Sequence, residues 1–160
     1  MVILCIDPAL AITGYGVIGL KAGRPFLIEA GIVKTSAREE TSRRLEKIHR
    51  AISKLILDTR PDIAALEKLY AHYRHPVTAY LLGQARGVIC LACAQAGIPV
   101  AEYAATRVKK AIVGNGLASK AQVQRMVAVT LGLRQLPKYT DVSDALALAL
   151  AHGSMLRLRG

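Results

Sequence analysis

The stretch VILCIDPALAITGYGVIGL, residues 2–20, decides the fold of this chain because it holds two apolar runs separated by a short turn. The first run, VILCID, is rich in β-branched residues and closes on Asp7. A third run, PFLIEAGIVKT (residues 25–35), follows after another short separation. Apolar runs bounded by turn residues are typical of strands, and short separations favour antiparallel pairing. We therefore expect the first third of the chain to form an antiparallel meander.

Beyond residue 40, helical and extended patterns alternate. Strands linked through helices pair in parallel with right-handed crossovers. We therefore expect an α/β fold in which a mixed five-stranded sheet carries helices on both faces, within a single domain spanning residues 1–160. The predicted helices lie at about 42–60, 77–96, 106–113, 119–131 and 140–157, and the two further strands are DIAALE (62–67) and IPVAEY (98–103).

The chain is strongly basic, with a formal net charge of +11 from 22 basic and 11 acidic residues. Such a charge favours a polyanionic partner, most often nucleic acid, although a merely soluble basic protein stays open. The basic residues are scattered, and the longest apolar stretches are shorter than the roughly 20 residues that cross a bilayer. We expect no membrane association, no signal peptide and a cytoplasmic location.

Three cysteines, Cys5, Cys90 and Cys93, lie in apolar contexts. The pair in CLAC falls within a predicted helix, with neither a second pair nor a histidine at zinc spacing. Buried thiols in a reducing compartment are favoured over metal or redox chemistry.

Two predicted strands end in an acid, Asp7 after VILCI and Glu67 after DIAAL. If the two strands are parallel neighbours, both acids lie at the carboxyl edge of the sheet, where open α/β sheets bind ligands. Simple solvation of a strand end is the alternative for either acid alone.

A second pair of acids opens the last helix, in YTDVSDALALALAH (residues 139–152). Asp141 and Asp144 are spaced i and i+3, so they share one face. Interaction with the helix dipole is an alternative role, but Thr140 already supplies an N-cap. The Ala and Leu run that follows predicts burial, so the helix should deliver both acids to a site.

Four converging carboxylates repel one another unless cations offset their charge. Ligands that are all oxygen select hard ions such as Mg²⁺ or Mn²⁺. Two such ions are the usual device for phosphodiester cleavage. An acidic metal centre in a basic protein therefore indicates a nuclease.

An ordered set of motifs, IDPALAITGYGV, ALEKLY, LGQARGV, VKKAIVGNG, SKAQVQ and DVSDALALALAH, resembles the RuvC family of bacterial Holliday junction resolvases. The resemblance runs over nearly the whole chain. It implies a ribonuclease H-like fold and a homodimer that cuts two opposed strands of a four-way DNA junction with Mg²⁺ or Mn²⁺. It also implies a branch-migration complex as a candidate partner.

Carried over to this chain, the family's acidic tetrad falls on Asp7, Glu67, Asp141 and Asp144. The lysines that lie near the DNA phosphates in the family fall on Lys109 and Lys120. The resemblance thus implies that all six side chains are catalytic and that the four acids hold the metal.

Two departures from the family pattern concern the turn after Asp7 and the loop after Glu67. Ala9 stands where the family usually has glycine, which would strain the turn if φ there were positive. The loop reads YAHYRHP without the family's phenylalanine and asparagine. Tyr70, Tyr73 and Arg74 suit stacking on unpaired bases and contact with phosphate, and Lys110 is a further candidate for DNA binding. Packing of this loop on the sheet is the alternative.

Three smaller features leave alternatives open. Gly83 and Gly87 permit close approach to the long helix, either by a second subunit or by the chain itself. His152 is interpreted as a core or supporting residue rather than a metal ligand, and residues 114–116, GNG, as a turn rather than a phosphate cradle.

The sequence leaves two other functions as alternatives. The sequence IDPALAITGYG is also compatible with sugar kinases and actin-like ATPases, but 160 residues leave no room for the second domain that those enzymes need. A protein that binds branched DNA without cutting it, or a related nuclease for another DNA structure, is the other rival. All four acids are present, which argues against an inactive enzyme.

Overall fold

The computed structural model describes residues 1–68 and 76–157. Within them, five strands form one sheet in the order β3-β2-β1-β4-β5. The first three strands pair antiparallel, whereas β4 pairs in parallel with both β1 and β5. The predicted meander and mixed sheet are confirmed. The strands are β1 Val2–Asp7, β2 Ile12–Lys21, β3 Arg24–Lys34, β4 Ile63–Glu67 and β5 Val100–Tyr103.

The helices begin and end close to the predicted residues. The first helix ends where Arg60 adopts a left-handed conformation, and its N–H bonds to the carbonyl of Ile56. Pro61 follows directly, and proline cannot extend a helix because it lacks an N–H. The described helices are α1 Thr41–Thr59, α2 Pro76–Gln95, α3 Ala105–Val113, α4 Lys120–Leu131 and α5 Thr140–Arg157.

Alternate residues of the central strands enter two separate hydrophobic cores, because successive side chains of a strand point to opposite faces. Ile3 and Cys5 of β1 pack in the core formed with α3, α4 and α5. Leu4 and Ile6 pack in the core formed with α1 and α2. The predicted placement of helices on both faces is confirmed. Every residue of α5 from 145 to 151 is at most 5% exposed, as its Ala and Leu composition predicted.

Two glycines of β2 allow α5 to lie directly on the sheet. Gly14 and Gly16 are two residues apart and therefore share a face. A Cβ on Gly14 would lie 2.3 Å from the main-chain carbon and oxygen of Asp141, and one on Gly16 would lie 2.6 Å from a methyl of Leu146. Real Cβ atoms essentially never approach closer than 3.0 Å. The helix can hold this position only because both strand residues lack a Cβ.

One side of α2 packs inward. Ala85, Ile89, Ala92 and Cys93 join the core that α1 also covers. By length and composition alone, α2 is the one helix of the described chain that could cross a bilayer, which the sequence analysis did not anticipate. Its buried side packs against the protein's own core.

The other side of α2 is exposed and apolar. Val77, Tyr80 and Leu91 are exposed along it, and a Cβ on Gly83 or Gly87 would meet no described atom within 4 Å. We call these five residues the open face of α2. Among the described residues the glycine pair makes no close intramolecular contact, which favours approach by a second subunit over approach by the chain itself.

Candidate active site

Two of the predicted acids end neighbouring parallel strands. Asp7 is the last residue of β1, and Glu67 is the last residue of β4. Ile6 pairs with Leu66 in the parallel register, so the two acids follow at corresponding positions. Both acids therefore lie at the carboxyl edge of the sheet, as the sequence predicted.

The other two acids reach this edge through α5. Asp7 pairs with Gly14 across β1 and β2, and Gly14 lies against the main chain of Asp141. This close approach places the start of α5 beside the end of β1. Asp144, one turn further along the helix, lines the same cavity as Asp7 and Glu67. The structure thus brings the four acids together from two strands and one helix; we call them the acid cluster.

The acids perturb one another electrostatically. The pKa of Asp7 is raised to about 7, chiefly by burial and then by the negative charges of the other three acids, Asp144 first. The pKa of Glu67 is also raised, chiefly by burial and then by Asp144, although the positive charges of Lys120 and Lys109 oppose that shift. Since each negative charge disfavours the next, the cluster favours a positive charge between its members.

Two lysines face the acid cluster from α3 and α4. Lys120 is the first residue of α4, where Ser119 and Gln122 exchange hydrogen bonds in a capping box that fixes the start of the helix. The Nζ of Lys120 donates a 3.0 Å hydrogen bond to Oδ2 of Asp144, and this bond raises the pKa of the lysine. Lys109 of α3 lines a neighbouring cavity together with Lys120.

Two cavities meet at the acid cluster. The first, of about 220 Å³, is lined by Asp7, Pro8, Glu67, Lys68, Leu82, Lys120 and Asp144. The second, of about 190 Å³, is lined by Glu67, Asp144 and both lysines together with the apolar Ala105, Val108, Val123 and Ala147. A larger cavity of about 360 Å³ lies between β2, β3 and α1, and no member of the acid cluster lines it. The chemistry of the lining, rather than volume, therefore marks the site.

The donors of the acid cluster fit a hard divalent cation, since all of them are carboxylate oxygens. In residues 1–68 and 76–157, no group of three or more Asp, Glu, His or Cys side chains is already arranged so that it could hold a metal ion. The four carboxylates repel one another, and a divalent cation would offset that repulsion better than the single charge of Lys120 does. Asp7, Glu67, Asp141 and Asp144 are the residues that would hold it.

The turn after Asp7 does not carry the strain that Ala9 suggested. Among the described residues, positive φ outside glycine occurs at Ala22 and Arg60. The hydroxyl of Thr13 donates a 2.6 Å hydrogen bond to the carbonyl of Ala9, and Oγ1 of Thr13 in turn accepts a 3.4 Å hydrogen bond from the N–H of Ala9. Because Thr13 is fully buried, its side chain fixes the turn, and no glycine is needed there.

The buried histidine and the GNG segment have the structural roles that the sequence favoured. His152 is buried, and its Nδ1 lies 2.7 Å from the hydroxyl oxygen of Tyr103. Burial lowers the pKa of His152, which favours a neutral core residue. Gly114 ends α3 in a left-handed conformation, and the side chain of Asn115 accepts a hydrogen bond from the N–H of Leu117. Residues 114–116 therefore form a turn.

The remaining candidates are less central or lie outside the described residues. Lys110 is exposed on α3, about 100° around the helix from Lys109. Tyr70, Tyr73 and Arg74 fall within residues 69–75, which the structure does not describe. Among the thiols, Cys5 and Cys93 are buried, and burial raises the pKa of Cys93 to about 11, which disfavours a reactive thiolate.

Two residues at the site were missed by the sequence analysis. Gly14 allows α5 to approach β2 closely. The signal for it in the sequence was the pair of glycines at alternate positions of a strand. Arg86 is buried and donates a hydrogen bond to the main-chain oxygen of Glu67, and its signal was an isolated cation in an otherwise apolar part of α2.

Comparison with known proteins gives the family. The sequence model described as crossover junction endodeoxyribonuclease RuvC matches residues 3–152. The RuvC of Rhodopirellula baltica is 47% identical over 148 residues, covering 92% of this chain and 83% of the relative. That of Syntrophomonas wolfei is 46% identical over 158 residues, covering 99% and 91%. The solved structure of Thermus thermophilus RuvC in complex with Holliday junction substrate matches with a TM-score of 0.94 and 36% identity, covering 99% and 96%, which confirms the ribonuclease H-like fold. This chain belongs to the RuvC family of crossover junction endodeoxyribonucleases.

Proposed function

We propose that this protein resolves Holliday junctions by hydrolysing one phosphodiester bond in each of two opposed strands, in homologous recombination and DNA repair. The observation that carries the proposal is the convergence of the four carboxylates of the acid cluster beside two lysines. The relative from Thermus thermophilus, whose structure holds a Holliday junction substrate, supports the choice of DNA.

Binding and chemistry are assigned to residues of opposite charge. Most of the affinity should come from basic side chains on phosphates, because neutralising phosphates releases condensed counterions. The formal net charge of +11 supplies such contacts. The acid cluster repels phosphate, so its members serve the reaction rather than the binding of the junction.

The lysines position the scissile phosphate. Lys109 and Lys120 line the same cavity as Glu67 and Asp144, so a phosphate that enters there meets two ammonium groups. Fixed positive charges beside the reacting group stabilise the negative charge that develops in the transition state. Both lysines are therefore proposed as catalytic residues as well as DNA-binding residues.

The cofactor in this proposal is Mg²⁺ or Mn²⁺, with two ions in each active site. When bound, such ions supply activation of the attacking water and stabilisation of the leaving oxygen. Asp7, Glu67, Asp141 and Asp144 hold and orient them, and the oxygen-only donor set supports a hard cation.

A homodimer follows from the need for two symmetric cuts. One chain has one acid cluster, whereas a two-fold dimer has two, related by a symmetry that a four-way junction can share. The open face of α2 is the candidate interface, since it is apolar and exposed and its glycines permit close approach. A branch-migration complex is proposed as a further partner, and the cytoplasm as the location.

The segment that follows Glu67 is proposed to contact the DNA. Tyr70 and Tyr73 would stack on unpaired bases near the crossover, and Arg74 would meet phosphate. Lys110, exposed on α3, would add a further phosphate contact.

The test compares cleavage with binding in four variants, each with one acid of the cluster changed to its amide. Cleavage of a labelled junction in Mg²⁺ or Mn²⁺ should be lost in each, while junction binding in Ca²⁺ stays within about threefold of wild type or tightens. Duplex and single-stranded DNA serve as alternative substrates. Glu46→Gln is the matched control, since Glu46 forms an exposed pair with Arg43 on α1 and such pairs contribute little. Folded variants that lose binding in step with cleavage would contradict the proposal, and a wild-type protein that binds without cutting would favour the binding-only rival.

A further inference from the structure

Arg86 is a buried cation on α2. It is 9% exposed, and its neighbour Ala85 belongs to the hydrophobic core. A buried guanidinium is tolerated only when it is paired and hydrogen-bonded. Its Nη2 pairs with the carboxylate of Glu102 on β5, and its Nη1 donates a 2.8 Å hydrogen bond to the main-chain oxygen of Glu67. One side chain therefore joins α2 to β5 and to the end of β4 that carries a member of the acid cluster.

The hydrogen bond to Glu67 lies where β4 has lost its strand partner on one side. The pairing of β1 with β4 ends at Leu66, one residue earlier. On the other side, Glu67 still pairs with Tyr103 of β5, and the N–H of Lys68 donates to the carbonyl of Tyr103. Arg86 adds a contact at Glu67 itself, just before the chain enters residues 69–75. The direction in which the Glu67 carboxylate leaves the strand depends on this main-chain position.

The contribution of Arg86 is geometric rather than electrostatic. Its charge is offset by the partner carboxylate of Glu102. The charges that shift the pKa of Glu67 belong instead to Asp144, Lys120 and Lys109. Arg86 and Glu67 meet through the main-chain oxygen, so removal of Arg86 would move the acid without changing the charge of the acid cluster.

We infer that Arg86 is a positioning residue for the cleavage reaction: by holding the main chain of Glu67, it fixes where the Glu67 carboxylate stands relative to Asp7. The inference rests on the proposed function, because it takes Glu67 to be one of the residues that hold the divalent cation. Groups that orient metal ligands typically change metal affinity about 10–100-fold when removed. The α2 helix also reaches the site through Leu82, one turn before Arg86, which lines the cavity with both acids.

The experiment measures Mn²⁺ binding to the full chain without DNA, by electron paramagnetic resonance of the free ion. Arg86→Met keeps an unbranched apolar stem and removes the guanidinium donors, and it should raise the Mn²⁺ dissociation constant at least tenfold. Its junction cleavage should recover as Mn²⁺ is raised, while junction binding in Ca²⁺ stays within about threefold of wild type. Glu102→Gln is the control, because it neutralises the ion pair but leaves the bond to Glu67; it should bind Mn²⁺ within about threefold of wild type.

Each outcome decides between a positioning and a structural role. An Arg86→Met variant that unfolds at lower temperature but binds Mn²⁺ like wild type would overturn the inference. If that variant does not fold, Arg86→Lys replaces it, because a single ammonium can keep the pair with Glu102 but does not reach both Glu102 and the main-chain oxygen of Glu67. The same loss of Mn²⁺ affinity is then expected. Wild-type Mn²⁺ affinity in Arg86→Lys would overturn the inference. Wild-type protein that binds no Mn²⁺ would instead contradict the proposed function, and the inference about Arg86 with it.

Discussion

Replacing Gly14 with alanine should disable the acid cluster without changing an acid. The new Cβ would lie 2.3 Å from the main-chain carbon and oxygen of Asp141 and 2.6 Å from its Cβ. Ordinary van der Waals contact begins near 3.4 Å, so the strand and the start of α5 must separate by about 1 Å. The obstructing atoms are main chain, which cannot rotate away. Asp141 would therefore move relative to Asp7, the sheet partner of Gly14.

The size of the effect follows from that displacement. A catalytic constellation tolerates roughly 0.5 Å of error, and a misplacement of about 1 Å costs on the order of 100-fold in rate. We therefore expect Gly14→Ala to cleave a junction about 100-fold more slowly at saturating protein. Overpacking should also cost about 1–3 kcal/mol of stability, which lowers the Tm by roughly 2–12 °C in a chain of this size.

The assay is single-turnover junction cleavage, read beside the Tm and the junction dissociation constant. Gly16→Ala is the matched control, because it lies on the same face of the same strand but would meet a methyl of Leu146, 2.6 Å away. A side chain can adjust where the main chain cannot, so this variant should lose stability but keep its rate within about fivefold. Wild-type cleavage by folded Gly14→Ala would refute the reasoning, and equal rate losses in both variants would trace the defect to stability alone.

Three further predictions concern charge and assembly. The raised pKa of Asp7 means that its carboxyl opposes folding increasingly as the pH rises from about 4 to about 7, and by a constant amount at higher pH. Asp7→Asn should therefore stabilise the protein in EDTA by up to about 4 kcal/mol at pH 8 and by less than about 1 kcal/mol at pH 4. Urea unfolding at both pH values checks this, and a variant no more stable than wild type at pH 8 would contradict it. Alanine at Lys109 or Lys120 should slow cleavage more than it weakens junction binding, and equal losses in the two assays would reduce that lysine to a general phosphate contact. Gly87→Leu should yield folded monomers in sedimentation that nick one strand at a time, whereas wild-type protein that sediments as a monomer with junction DNA would remove the dimer from the proposal.

The sequence by itself determined the elements and the chemistry that they carry. VILCID and DIAALE each close on one acid, and both patterns survive in the structure as β1 and β4, with Asp7 and Glu67 at their ends. The Ala and Leu run after Asp144 predicted the buried helix that is observed. These features can be predicted from the sequence because the apolar runs and their periodicity show which residues of each element face the core. That information lies within the residues of the element itself.

Only the tertiary structure decided how closely these groups approach one another. In the sequence, Gly14 is one of 13 glycines and Arg86 one of 22 basic residues. Their roles depend on a helix more than a hundred residues away from Gly14 and on a strand end 19 residues away from Arg86. Ala9 shows the converse: the family pattern predicts glycine in that turn, but the side chain of Thr13 fixes the turn without it. Periodicity specifies the face that each element turns inward, but the distance between two elements depends on the side chains that are absent or buried where they cross, and that appears only once the chain is packed.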